Sequence, residues 1–331
     1  MTEQPLLKVD NLQLSYKVYG GSLSVLNGIN LVVRPGEKVG LVGETGCGKT
    51  SAMKAILRIL PAPPAQITGG HIHFKGQDVL QMSPKALQGV RGNGISMIFQ
   101  DPTAALNPVF TIGQQLNAVI KYSASNRNKA AKRQIRQAAI SALSEVSLAD
   151  PERLLNAYPV QLSGGMRQRV CIAMALAAQP ELLLADEPGT ALDVTIQDQV
   201  LRLLRNLVEE KNTSVILITH TLGVVRQATD RVYVMYAGDM IESAPTSMLF
   251  ANPRHPYTQG LMEAVPRLNG GGVAEGIPGR IPDYRNPPTG CRFHPRCPRV
   301  MSICRREKPS GYPVDDGHEV ACFLFDGQHK P

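Results

Sequence analysis

The chain of 331 residues is 43% hydrophobic and 19% charged, a balance for which disorder is not the default and which leaves room for one large domain with an appendage. Its formal charge of +8 permits contact with acidic surfaces, but the excess is spread thinly along the sequence. No run of about 18 uncharged apolar residues is present, so no bilayer span is expected; the first ten residues lack the basic and apolar regions of a secretory leader, which predicts a cytoplasmic chain.

Residues 6–16 alternate and predict an edge strand, and residues 23–33 predict another, closed by the turn Arg34-Pro35-Gly36-Glu37. Residues 39–42 read as a short buried strand feeding Gly43-Glu44-Thr45-Gly46-Cys47-Gly48-Lys49-Thr50, and residues 51–60 continue as a helix until Pro61. Strand, glycine loop and helix is the order a phosphate-binding loop requires. The glycines let backbone N–H groups face phosphate oxygens, and the helix N-terminus adds a favourable dipole. Lys49 then reaches the β- and γ-phosphates and the Thr50 hydroxyl binds Mg²⁺. Cys47 inside the loop is read as a small spacer.

Residues 71–74 and 95–99 predict further strands. Between residues 111 and 157 the pattern turns helical and basic, with Arg127, Lys129, Lys132, Arg133 and Arg136 crowding one segment, as in an inserted helical subdomain. Strands predicted at 182–185, 214–219 and 231–236 alternate with helices and restore the α/β pattern of a mostly parallel sheet. The first of these, Leu182-Leu183-Leu184-Ala185, runs into Asp186 and Glu187. Two adjacent carboxylates at the end of a buried strand are costly without a metal or hydrogen-bond donors; Asp186 is read as holding Mg²⁺ through water, and Glu187 as polarising an attacking water. After Arg254 the composition shifts, with Pro and Gly rising from Gly270 through Gly290 and four cysteines following, so a boundary is expected near residue 252 with a compact, loop-rich tail beyond.

Leu162-Ser163-Gly164-Gly165-Met166-Arg167-Gln168, taken with the strings above, resembles the ATP-binding subunits of ATP-binding-cassette (ABC) importers, specifically the dipeptide, oligopeptide and nickel permease group. The strings Gln100-Asp101-Pro102, Ala105-Leu106-Asn107-Pro108, Thr111-Ile112-Gly113 and Asn252-Pro253-Arg254-His255-Pro256-Tyr257-Thr258 carry the likeness to the peptide permeases. The resemblance implies an α/β fold of the P-loop NTPase type. It has a RecA-like core, an antiparallel β subdomain and an inserted helical subdomain at about 103–178, within an ATP-binding domain spanning about 1–252. A C-terminal domain follows over about 253–331.

By the same resemblance, Ser163, Gly164, Gly165, Met166 and Gln168 form the signature that contacts ATP held by a second subunit, and Asp193 crosses that interface. Gln100 senses the γ-phosphate side and joins Thr50 and Asp186 around Mg²⁺. His220 contacts the γ-phosphate, Ser51 follows the loop, and Tyr16 stacks on adenine, with Tyr19 the other candidate. Gly189 and Thr221 stand where the family usually has Thr and Asp; neither supplies a phosphate, metal or water contact, so both ATP sites are expected to be catalytic. The implied chemistry is attack of water on the γ-phosphate, with Glu187 as general base and Lys49 and His220 stabilising charge. The implied partners are two transmembrane permease subunits, a second ABC ATPase of related but different sequence and an extracytoplasmic substrate-binding protein, at the cytoplasmic face of the bacterial inner membrane. Peptides are the expected cargo, and nickel, glutathione, opines or sugars the alternatives. A soluble ABC ATPase acting on nucleic acid or ribosomes is the rival class, but the long coiled coils or paired cassettes of those proteins are missing, so no nucleic-acid partner is expected.

Cys291, Cys297, Cys304 and Cys322 follow C-x5-C-x6-C-x17-C among several arginines. Four thiolates in a reducing compartment call for a metal. Zinc sites usually offer closer cysteine pairs, whereas iron–sulfur clusters tolerate wider spacing, and Cys297-Pro298 echoes the Cys-Pro found beside such clusters. The permease resemblance points the same way, so a [4Fe-4S] cluster is expected, with zinc as the alternative.

Overall fold

The structure, a computed structural model, describes residues 4–123, 132–190, 192–264 and 276–328. Arg127 and Lys129 of the basic run, Ala191 and Gly270 lie outside the described residues. In chain order the elements begin β1 (Leu7–Val18), β2 (Gly21–Val33), β3 (Lys38–Val42), α1 (Lys49–Ile56), β4 (Ala65–Phe74), β5 (Gln77–Asp78), α2 (Pro84–Val90), β6 (Ile95–Ile98), α3 (Pro102–Ala105) and α4 (Ile112–Tyr122). They continue with α5 (Lys132–Glu145), α6 (Pro151–Leu154), α7 (Gly164–Ala177), β7 (Leu182–Asp186), α8 (Val194–Glu210), β8 (Ser214–Ile218), α9 (Leu222–Ala228), β9 (Arg231–Tyr236) and β10 (Asp239–Pro245). The last are α10 (Thr246–Ala251), α11 (Pro256–Glu263), β11 (Tyr312–Asp315) and β12 (His318–Val320). Among the described residues no helix is long and apolar enough to cross a membrane.

The chain divides into two compact units, one of residues 1–34, 38–80 and 219–331, the other of residues 35–37 and 81–218. In the first unit an antiparallel sheet runs β2-β1-β4-β5. Alternation along β1 buries Leu7, Val9, Leu12 and Leu14, the set that the sequence period of two selects. β4 starts at Ala65, earlier than the predicted 71–74, because Gly69 and Gly70 break the apolar alternation where β1 bulges. Gly70 sits at φ +86, and a Cβ there would lie 2.3 Å from the Asn11 carbonyl oxygen, so no other residue fits.

The same unit holds the strand order β11-β12-β10-β9-β3, with β3 parallel to β9. Its core gathers Val232, Val234, Tyr236, Leu249, Tyr257 and Phe293, the last three from beyond the strands. Glu242 of β10 faces Val320 of β12, so the cysteine-bearing tail adds a hairpin to this sheet. Helix α1 stops at Ile56, short of the predicted residue 60, because Arg58 turns left-handed at φ +52 and its N–H bonds back to the Ala55 carbonyl.

In the second unit β6, β7 and β8 are parallel neighbours, and every residue of β7 and β8 is buried, as their continuous apolar runs require. Helix α7 packs against β6, and α3, α4 and α5 pack on α7. Thr111 and Gln114 close a capping box that starts α4, and Ile112 N–H and Gly113 N–H donate to the carbonyls of Ala157 and Leu155 at 2.9 and 2.8 Å.

Candidate functional site

In the first unit, β3 delivers residues 43–48 to the start of α1. Gly43 is held at φ +151, where a Cβ would sit 2.1 Å from the Met235 carbonyl oxygen, and Gly48, at φ +109, would press on Leu26. Both glycines are therefore fixed by backbone shape and by close approach. Lys49 is buried and folds back across the loop: its Nζ donates to the carbonyls of Gly43 at 2.7 Å and Glu44 at 2.9 Å. A primary ammonium caged by carbonyls over a glycine loop can exchange those partners for phosphate oxygens. Burial raises the Cys47 thiol above its ordinary value, which keeps it neutral, as a spacer needs to be. Tyr16 projects from β1 to the first turn of α1, its hydroxyl 3.4 Å from Ser51 Oγ, while Tyr19 is fully exposed at the turn between β1 and β2. His220 is exposed just before α9. Thr221 occupies the N-cap of that helix without a side-chain cap bond.

In the second unit β7 ends at Asp186, which is 2% exposed. The chain then turns through Glu187, a non-glycine residue at φ +46, whose N–H donates to the Ile218 carbonyl at 2.9 Å. Such a backbone is strained and re-aims the carboxylate off the strand. Gln100 Nε2 donates to Glu187 Oε2 at 3.0 Å and Thr190 Oγ1 donates to the same oxygen at 2.9 Å. Two residues chosen from distant strings thus meet. Thr190 was missed in the sequence, where nothing but its place three residues after Glu187 marks it. A Cβ at Gly189 would approach Gln197 Cγ to 2.6 Å, so the Thr usual here would displace that side chain.

Ser163 caps α7, its Oγ accepting from Met166 N–H at 3.3 Å, and Asp193 caps α8 by accepting from Ile196 N–H at 3.0 Å. The two helix starts lie together: a Cβ on Gly165 would be 2.9 Å from Ile196, and one on Gly164 3.6 Å from Leu192. Ser163 and Gly164 are exposed, so backbone N–H groups at the head of a helix face outward, the geometry that receives anions. Gln168, one turn further along, is buried, and its Nε2 has no hydrogen-bond partner. Arg167 ties this motif to α3 by donating to Thr103 Oγ1 at 3.0 Å.

The four tail cysteines are all free thiols and line one cavity, together with His255, Phe293 and Phe323. Burial, reinforced by the other sulfurs, pushes Cys291 up to about 12 and Cys322 up to about 11, and burial raises Cys297 as well. Backbone N–H groups oppose this, each from two residues downstream: Phe293 at Cys291, Arg299 at Cys297 and Leu324 at Cys322. Sulfurs shielded in this way and fitted with N–H donors become thiolates when a cation neutralises them. Elsewhere, His71, His73 and Asp78 bring ligand atoms within 4.8 Å of one another, but His71 Nδ1 already pairs with Asp78 at 2.9 Å. His255, buried, has an Nε2 without a hydrogen-bond partner.

Known proteins match nearly the whole chain. A family model described as ABC transporter matches residues 26–190, and one described as oligopeptide/dipeptide transporter, C-terminal region, matches residues 241–304. The chain is 46% identical over 324 residues to the dipeptide transport ATP-binding protein DppD of Bacillus subtilis (strain 168), covering 98% of this chain and 96% of that one. It is 45% identical over 323 residues to the oligopeptide transport ATP-binding protein OppD of the same organism, covering 97% and 89%. Among solved structures it is similar to the dimeric post-hydrolysis state of the ATP-binding cassette MJ0796 bound to ADP and Pi. The TM-score is 0.64 at 28% identity, covering 72% of this chain and 98% of that one.

Proposed function

The chain belongs to the ATP-binding subunits of ABC transporters, and we propose that it powers uptake of di- and oligopeptides across the bacterial cytoplasmic membrane. The observation that carries this reading is the presence on one chain of an ABC cassette match at 26–190 and an oligopeptide/dipeptide C-terminal match at 241–304. Accordingly we read residues 1–252 as the ATP-binding domain, with a helical subdomain near 103–178, and residues 253–331 as the peptide-permease C-terminal domain.

Lys49 and the loop backbone bind the β- and γ-phosphates, Tyr16 stacks on adenine, and Ser163, Gly164, Gly165, Met166 and Asp193 serve ATP on a second, related ATPase. Thr50, Gln100 and Asp186 each offer an oxygen of the kind Mg²⁺ prefers and would hold the ion, which would neutralise phosphate charge. Water attacks the γ-phosphorus, the bond to the bridging oxygen of ADP breaks, and Glu187 takes the water's proton. Gln100 and Thr190 orient that carboxylate by one oxygen, and His220 contacts the γ-phosphate. ATP favours the closed pair of ATPases and hydrolysis releases it, which moves the membrane subunits. Val109, Phe110, Tyr158 and Val160 are exposed apolar residues close in sequence to the 112–157 and 113–155 backbone bonds, which supports a docking face there for those subunits.

For the tail we propose a [4Fe-4S] cluster on Cys291, Cys297, Cys304 and Cys322. Supporting it are the shared cavity, the N–H donors at three sulfurs, and the partnerless Nε2 of His255 beside them. When bound, the cluster cross-links a segment with little regular structure of its own. Iron and sulfide assay of anaerobically purified protein, with absorbance near 400 nm, tests it; stoichiometric zinc without colour overturns it.

The transport reading is tested in proteoliposomes holding the complete complex with its binding protein. ATP-dependent uptake of labelled dipeptide is expected in the wild type and its loss, with ATP binding retained, in Glu187→Gln. Uptake of nickel or glutathione in place of peptide overturns the cargo, and turnover by Glu187→Gln near the wild-type rate overturns the base.

A further inference from the structure

Residues 43–50 contain one acidic side chain, Glu44, in a loop read here as the seat of a triphosphate. An unpaired carboxylate there repels the incoming anion. In the structure it is not unpaired. Arg296 Nη1 donates to both Glu44 oxygens at 3.0 Å, and the guanidinium has only 6% of its side chain exposed. Its other two nitrogens are engaged as well. Nε goes to the Pro278 carbonyl at 2.7 Å and Nη2 to the Ile277 carbonyl at 2.8 Å, so the group is fixed in place before any nucleotide arrives. The Tyr236 ring lies 5.7 Å beneath it.

Two tyrosines from the same C-terminal stretch complete the hold. Glu44 N–H donates to the hydroxyl of Tyr257 at 2.9 Å, and Tyr284 donates its hydroxyl hydrogen to the Gly46 carbonyl at 2.7 Å. Tyr257 is itself fully buried against Tyr236 and Phe293. Four residues before Arg296, Arg292 donates to the carbonyls of Ala237 at 2.5 Å and Ser24 at 3.1 Å, which pins the segment that carries the clasp.

We propose that Arg296 is a positioning residue of the ATP site, cancelling the Glu44 charge and, with Tyr257 and Tyr284, holding the glycine loop ready for the triphosphate. The inference rests on the nucleotide reading above. Arg296 touches no phosphate; it acts through Glu44. Its effect is electrostatic first, so it scales with the charge on the ligand and reverses when the carboxylate is removed.

The test measures binding of MgATP, MgADP and adenosine to the purified full-length chain by titration calorimetry. Arg296→Ala is expected to weaken MgATP about tenfold, the loss of one charge-assisted bond, to weaken MgADP less, and to leave adenosine unchanged. Adding Glu44→Gln to that variant is expected to restore most of the MgATP affinity. A merely structural clasp predicts instead that the double variant is no better than the single one, or that all three ligands suffer alike, and either result overturns the proposal. Lys49→Ala separates the two claims: if it binds MgATP like the wild type, the nucleotide reading falls; if it does not, and Arg296→Ala binds normally, only the clasp falls. Should Arg296→Ala not fold, Glu44→Gln alone decides. With the guanidinium retained and the carboxylate gone, MgATP is expected to bind more tightly than to the wild type, and equal or weaker binding overturns the proposal.

Discussion

Glu242→Ala is expected to unfasten the C-terminal segment from β10. Glu242 is buried, with its side chain wholly shielded from solvent, and accepts three hydrogen bonds: from Arg254 N–H at 2.7 Å, His255 N–H at 2.9 Å and His318 Nε2 at 2.8 Å. The alanine variant strands three donors, two of them on the backbone. Each buried donor left without a partner costs about 1–3 kcal/mol, and relief of the carboxylate's own burial returns part of the sum. A net loss of about 4 kcal/mol follows, or roughly 10 °C in melting temperature for a unit of this size. Glu242→Gln keeps one acceptor oxygen and turns an amide N–H toward the remaining donors, so about half that loss is expected. Guanidinium denaturation followed by circular dichroism gives the energies, and amide hydrogen exchange at Arg254 and His255 reports the stranded groups directly. If Glu242→Ala stays within 1 kcal/mol of wild type with both amides protected, the hub has been misread.

Burial holds the His255 imidazole down at about 3, against an ordinary value of 6.5. The unfolded chain therefore gains a proton below 6.5 that the folded one refuses, so the stability present above that pH is lost on acidification, by about 2 kcal/mol at pH 5. His255→Asn retains an acceptor for the Tyr257 N–H and should flatten this part of the pH dependence of the denaturation midpoint; an unchanged slope would contradict the assignment. Gly43→Ala places a methyl 2.1 Å from the Met235 carbonyl, so MgATP binding should be lost in calorimetry and the melting temperature should fall, and wild-type binding would refute the close approach. Thr221→Asp supplies the cap that α9 lacks and should raise stability by about 0.5–1 kcal/mol, read as a higher denaturation midpoint.

Local signals were legible because local chemistry produces them. The strand at 231–236 and the burial of residues 182–185 follow from unbroken apolar runs, and the Lys49 loop follows from glycines that only positive φ or close approach explains. Gln100 and Glu187 were each readable from their strings, and their 3.0 Å bond followed from the parallel pairing of β6 with β7. Residues 65–70 stayed hidden because Gly69 and Gly70 interrupt the alternation at a bulge whose cause, Asn11, lies on another strand. The premature end of α1 was hidden for a different reason: Arg58 has no propensity for φ +52 and adopts it to turn the chain. Arg296 could not be found from sequence at all. Amid ten other arginines and lysines of the tail, nothing distinguishes the one whose partner is an acid in the glycine loop.

The Glu44–Arg296 pair joins residues 252 positions apart. During synthesis, at about 5–20 residues per second, the loop emerges first and waits roughly 10 to 50 s for its counter-charge. A nascent chain, or one cut short before residue 296, therefore carries a glycine loop whose carboxylate opposes ATP. On the proposal above, the subunit reaches its full affinity for ATP only when its cysteine segment has been translated and folded, which places tight binding after completion of the tail in the order of biogenesis.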